Sequence, residues 1–229
     1  MNSRLSSLYT GSFSAWAPGI KTEGDWREWA LGLKTIPQDK ESPALDFSDP
    51  LLRRRLSQLS KMTIQVIHEL EPAEGVPLFF VSFRGELNQQ YKINKMLIED
   101  NCILPAAFSL SVFNAAPALA SIALGLHSDY TAIYPGGGSL FYGLLAAAAR
   151  ILNGAEKAIL VYADEKIPSE YVSIYSGSPC LPPPLSFAVE ITSKPFNHSV
   201  PLEKIRYREG PEAFLKSLVL HYSPGNLEK

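Results

Sequence analysis

Cysteine is scarce in this sequence: Cys102 and Cys180 are the only two in 229 residues. That excludes the multi-bridge framework of small secreted domains, and a chain of this length can bury a core without one. A reducing cytoplasmic compartment is therefore expected. An excess of charge is missing too: 21 Lys and Arg against 23 Asp and Glu leave a formal charge of -2. Such a balance offers no electrostatic footprint for duplex DNA or an anionic membrane. From Met1 to Trp16 the only basic residue is Arg4, and polar groups break up the apolar ones, so the start of the chain does not read as a signal peptide. With 46% hydrophobic and 19% charged residues, disorder is excluded as well.

Two long stretches, 101–128 and 130–149, contain no Asp, Glu, Lys or Arg. Hydropathy alone would allow spanning helices there. Pro105, Asn114, Pro117 and the run Pro135-Gly136-Gly137-Gly138 interrupt both, and in lipid the freed backbone groups would stay unpaired. The stretches read instead as the deep core of a layered protein, where elements covered on both faces lose their polar alternation.

What is present alternates between strands and helices. Leu8 to Trp16 has strand alternation, and Asp25 with Trp26, Trp29 and Leu33 predicts a short helix. Asp49-Pro50 opens an amphipathic stripe running from Leu52 to Leu70. Val76 to Phe83 reads as a buried strand and Leu87 to Ile98 as a helix. A helix after Pro117 stops at Gly125, and Tyr130 to Tyr134 is strand-like. A Pro-Gly-Gly-Gly turn then leads into Ser139 to Leu152, apolar on every face up to Arg150, which predicts a helix enclosed by protein. Ala158 to Ala163 and Ser186 to Thr192 are further strands, and Pro211 to Leu220 a final helix. The order argues for a three-layer α/β/α domain.

Few residues offer chemistry. Ser139 opens a helix after a glycine turn, where N–H groups can stabilise an oxyanion, so a small acyl-transferring or ester-hydrolysing enzyme using Ser139 is one reading. Phe141 stands where a nucleophile elbow needs glycine, and helix capping is the plainer role for Ser139. No Lys follows the turn, as a P-loop requires, and a third glycine for a dinucleotide fingerprint is missing. Neither cysteine stands where its thiol would be activated, and His68, His127, His198 and His221 are dispersed without metal-ligand spacing. No cofactor or metal is expected. Arg53, Arg54 and Arg55 form a basic cluster that either meets an acidic partner or is solvated.

The order of pieces carries more than any one of them. Thr10-Gly-Ser-Phe-Ser-Ala-Trp-Ala-Pro18, Phe113-Asn114-Ala115-Ala116-Pro117-Ala118, Ser121 to Gly125, Tyr130-Thr131, the glycine turn, the Ala-rich stretch and Gly154 to Val161 follow one another. This succession resembles the N-terminal half of β-ketoacyl-ACP synthases. It is most similar to the short, chain-length-factor-like proteins of bacterial aryl polyene biosynthesis. The resemblance implies a thiolase-like α/β fold with a mixed β-sheet. Residues 1–192 would form the ketosynthase-like domain and 193–229 an extension packed on it.

For function, the resemblance puts Gly136 at the position of the acyl-accepting cysteine. The activating histidines belong to a C-terminal half for which this sequence, ending at Lys229, leaves no room. No catalytic residue is then expected, and condensation by this chain alone should be negligible. The implied partner is a full-length β-ketoacyl-ACP synthase in a heterodimer, with an acyl carrier protein bound transiently as a candidate acidic partner for Arg53–Arg55. The strand Ala158-Ile159-Leu160-Val161-Tyr162-Ala163 is expected at the dimer interface as an apolar edge that a partner must cover. Ala107, Phe108 and Val112 would reach the partner's acyl tunnel and set its length, unless Phe108 is plain core.

Overall fold

The strands form because Val, Ile, Leu and Phe runs pack on both sides of a sheet, and the fourth strand shows it best. Ala158, Leu160 and Tyr162 point to one face and Ile159, Val161 and Ala163 to the other, and none of the six is more than 2% exposed. The computed structural model describes residues 7–136, 139–175, 181–196 and 199–222, with 174 and 175 as backbone only.

In chain order the elements are β1 (Tyr9–Trp16), α1 (Glu23–Ala30), α2 (Pro50–Arg53), α3 (Gln58–Leu70), β2 (Leu78–Val81), α4 (Leu87–Asp100), α5 (Pro105–Ser109) and α6 (Ala115–Leu124). They continue with β3 (Tyr130–Ile133), α7 (Phe141–Leu152), β4 (Lys157–Asp164), β5 (Leu185–Thr192), β6 (Val200–Pro201) and α8 (Pro211–His221). One mixed sheet has the order β3-β2-β4-β5-β1-β6. β3, β2 and β4 are parallel, and β5, β1 and β6 each run antiparallel to the neighbour before.

Helices α3 and α6 cover one face, packing Ile64, Ile67, Ala116 and Ala120 on Phe80, Ile159 and Val161. Helices α1, α7 and α8 cover the other, against Leu160, Tyr162 and Phe187. The result is the α/β/α thiolase-like arrangement. The segment after Thr192 shares this core: Phe214 stacks on Phe187 at 5.4 Å, and Tyr222 meets Phe13 edge-on at 4.9 Å.

Three expectations need correction. The helix expected from Asp49 to Leu70 is two helices, because the Ser57 hydroxyl accepts the Ser60 N–H and starts α3 afresh. The helix after the glycine turn is not enclosed on every side: Tyr142 is 52% and Leu152 59% exposed. Its close face is made by Gly143, where a Cβ would stand 2.5 Å from Val81 Cγ2. Most consequentially, Ala158 to Ala163 is no edge. β4 pairs with β2 through Ile159 to Tyr162 on one side and with β5 along its whole length on the other, so it is an interior strand and not an edge for a partner. The edge on the parallel side of the sheet is β3.

Candidate functional site

The region expected to matter lies where the parallel strands end. Alternation of hydrogen bonds decides what β3 offers there. The Leu78 N–H donates to the Asp129 carbonyl and the Ser82 N–H to that of Ile133, so the odd-numbered residues 129–133 face β2. Tyr130 and Ala132 therefore aim their peptide groups away from the sheet. The strand is short, half-buried and followed by the 68% exposed Tyr134.

The turn after β3 begins at Gly136, which is exposed, and a Cβ placed on it would meet nothing within 4 Å. Glycine is thus not imposed there by packing. Gly137 and Gly138 lie outside the described residues, as do Cys180 and His198. Ser139 closes the turn: its hydroxyl accepts the Phe141 N–H at 3.2 Å and donates to the Tyr207 carbonyl at 3.4 Å. These bonds tie the hydroxyl to the first residue of α7 and to the segment before α8, and no histidine is among its described partners. Cys102, the one described cysteine, is exposed just beyond α4.

An aromatic relay holds Phe113, the neighbour of Val112, against the end of β3. The Phe113 ring lies 6.3 Å from Phe80 and 6.3 Å, edge-on, from Tyr134. Gly85 lies under the same ring at φ +56°, where a Cβ would come 2.7 Å from Phe113 Cδ2. So the loop from α5 to α6 is pinned beside the end of β3. Phe108, on the short α5, is 55% exposed and is not core; Ala107 and Val112 are half-buried.

The platform below is a buried polar junction that the sequence reading missed. Asp164 accepts from the Ser82 hydroxyl at 2.7 Å, the Tyr162 hydroxyl at 2.8 Å and the Arg84 N–H at 3.1 Å. Arg84 Nη2 lies 3.2 Å from Asp164 Oδ2, an ion pair by distance, although neither its Nε nor Nη2 is aligned for a hydrogen bond. Glu86 Oε1 accepts from the Ser57 hydroxyl at 2.9 Å and the Ser60 hydroxyl at 2.6 Å, while its Oε2 has no partner. Burial, and then the nearby Glu165 charge, push the Glu86 carboxyl up to about 7. Burial also raises Glu165, which accepts the Asn88 N–H at the start of α4 at 2.9 Å. The signal was there: Ser82 to Glu86 and Asp164-Glu165 place charges directly after two apolar runs.

The arginine cluster divides. Arg53 is a loop staple, donating to the carbonyl of Leu45 at 3.3 Å and to Asp46 Oδ1 at 2.9 Å, whereas Arg54 and Arg55 are exposed.

The family profile for the β-ketoacyl synthase N-terminal domain matches residues 26–209, most of the chain. This chain belongs to the β-ketoacyl synthase family. Among solved structures, a chain of the ketosynthase ApeO in complex with its chain length factor ApeC, from Xenorhabdus doucetiae, is similar over 81% of this chain and 78% of that one. The TM-score is 0.70 and the identity 23%. The ishigamide ketosynthase/chain length factor matches at TM-score 0.55 and 13% identity, over 81% of this chain and 62% of that one. The ketosynthase from module 6 of the bacillaene synthase of Bacillus subtilis 168 matches at 0.57 and 12%, with 39% of that chain covered. At such identities the likeness is one of fold. No curated protein matches the sequence. As a ketosynthase-type domain the chain carries its glycine turn between β3 and α7, and among the described residues no helix is long and apolar enough to cross a membrane.

Proposed function

We propose that this ketosynthase-type domain is a non-catalytic, chain-length-factor-like subunit. It pairs with a catalytic β-ketoacyl-ACP synthase and shapes that partner's acyl tunnel during aryl polyene or related type II elongation. The observation that carries the reading is the turn between β3 and α7. Residues 135–140 supply no thiol and no imidazole, and their one hydroxyl, Ser139, is bonded to the Phe141 N–H and the Tyr207 carbonyl. A nucleophile without a base beside it has little reactivity.

Partnership uses the β3 edge rather than β4. Tyr130 and Ala132 offer outward peptide groups, and Tyr134 and Phe108 stand exposed nearby. An uncovered edge of this kind favours strand pairing across a pseudo-two-fold axis. In that setting Ala107, Phe108 and Val112 face the partner, and the size of residue 108 limits how far a chain extends. Transient carrier-protein contact falls to Arg54 and Arg55.

The test is acyl loading. Incubated with an acyl-carrier thioester, the chain should gain no covalent mass, while a ketosynthase co-purified with it should. An acyl adduct on Ser139 would instead establish the chain as an acyl-transferring enzyme.

A further inference from the structure

The edge of the sheet opposite β3 is only partly closed. β6 covers Tyr9 and Thr10 of β1 and goes no further, so Gly11 to Trp16 have no strand beyond them among the described residues. The register shows which peptide groups this leaves. The Ile159 N–H donates to the Pro77 carbonyl, so Ala158, Leu160, Tyr162 and Asp164 turn their peptide groups towards β5. Carried across β5, the same alternation has Ser14 and Trp16 bonding β5 while Phe13 and Ala15 aim N–H and C=O outward. No described group pairs with those outward N–H and C=O groups.

They open into a groove of about 900 Å³ whose floor is the consecutive run Ser12 to Trp16. A run of five strand residues spans about 17 Å. One bank holds Phe47, stacked on His68 at 3.6 Å between ring centres, and the other holds Trp26 and Tyr222. Four carboxylates, Glu23, Asp46, Glu69 and Glu71, line the groove, of which Asp46 is ion-paired with Arg53, and the one ammonium among its described lining, Lys21, is ion-paired with Glu41.

We propose that this groove receives an extended, basic segment of a partner polypeptide, which adds to β1 as a further strand. The Phe13 and Ala15 peptide groups provide main-chain hydrogen bonds, and the carboxylates select Lys or Arg. The aromatic banks cover the apolar stems of those side chains. The surface lies across the sheet from β3, so it is separate from the ketosynthase pairing and leaves that proposal standing or falling by itself.

The probes are two labelled eight-residue peptides, one alternating Lys and Val and one alternating Glu and Val, titrated by fluorescence anisotropy against the full chain. The Lys peptide should bind, and its binding should slow hydrogen exchange at the Phe13 and Ala15 amides. Ala15→Pro removes one outward N–H while the Ser14 and Trp16 bonds to β5 remain, and should weaken binding about tenfold. Glu69→Gln with Glu71→Gln should weaken it about threefold and reduce its salt dependence. Glu99→Gln, an exposed carboxylate outside the groove, should leave Lys-peptide binding unchanged. No Lys-peptide binding, equal binding of the Glu peptide, or a folded Ala15→Pro variant with unchanged affinity overturns the proposal. Should Ala15→Pro not fold, unaltered exchange at Phe13 and Ala15 in the wild-type complex overturns it as well. Binding that appears only after residues 223–229 are removed makes the chain's own tail the occupant, which also contradicts it.

Discussion

Gly143 faces Val81 so closely that a Cβ on it would stand 2.5 Å from Val81 Cγ2 and 2.8 Å from Leu160 Cδ1. This contact seats α7 on the parallel strands and with it sets where the turn at Gly136 lies. Gly143→Val should therefore destabilise by about 2–3 kcal/mol through overpacking. Urea unfolding reads this directly, and an unchanged midpoint would show that α7 is held elsewhere.

Glu86 predicts a particular pH dependence. Its carboxyl is raised from the ordinary 4.5 to about 7 when folded. The native state thus holds the proton more tightly than the unfolded chain. The associated stability is fully present below pH 4.5 and is lost as pH rises to about 7, by at most about 3 kcal/mol. Glu165, also raised by burial, contributes with the same sign. Glu86→Gln keeps an acceptor for Ser57 and Ser60 but cannot ionise, so the slope of stability between pH 5 and pH 8 should flatten. A slope identical to wild type would place the titration elsewhere.

The β3–α7 turn can be given a thiol. A Cβ at position 136 meets no described atom within 4 Å, so Gly136→Cys should keep stability within about 0.5 kcal/mol. The new thiol, being exposed, should react with iodoacetamide. It should not confer condensation on the isolated chain, because no base accompanies it. Condensation by the single variant would contradict the non-catalytic reading.

Residue 108 addresses chain length. Phe108 is 55% exposed, so Phe108→Ala should cost no more than about 0.5 kcal/mol. In a reconstituted pair it should lengthen the product, and Ala107→Trp should shorten or stop it. Product profiles unchanged in both variants, read by mass spectrometry, would remove these residues from the tunnel.

Much of this fold was legible in the order of apolar runs and glycine stops. β1, β2, β4 and β5 fall within a few residues of where alternation and Val-Ile-Leu content put them, and Gly125 ends α6 at φ +62°. What sequence could not supply was the order of strands within the sheet. Ala158 to Ala163 reads equally as a central strand or as an apolar edge, because both are devoid of polar residues; only the pairing with β2 and β5 decides. The helix break at Ser57 was hidden by an apolar stripe that continues through it, since one capping hydroxyl does not disturb the period. The Glu86–Asp164 junction depends on two strands 80 residues apart ending side by side, which no local pattern encodes.

Native mass spectrometry of the chain co-expressed with its cognate ketosynthase tests the central claim most directly, using wild type and Ala132→Pro in parallel. Ala132 aims its peptide N–H off the β3 edge, and proline is tolerated at such edge positions without loss of the inner ladder. The account predicts a one-to-one complex for wild type and free, folded chain for the variant. A wild-type chain that stays monomeric beside the ketosynthase, or a complex indifferent to Ala132→Pro, would contradict it.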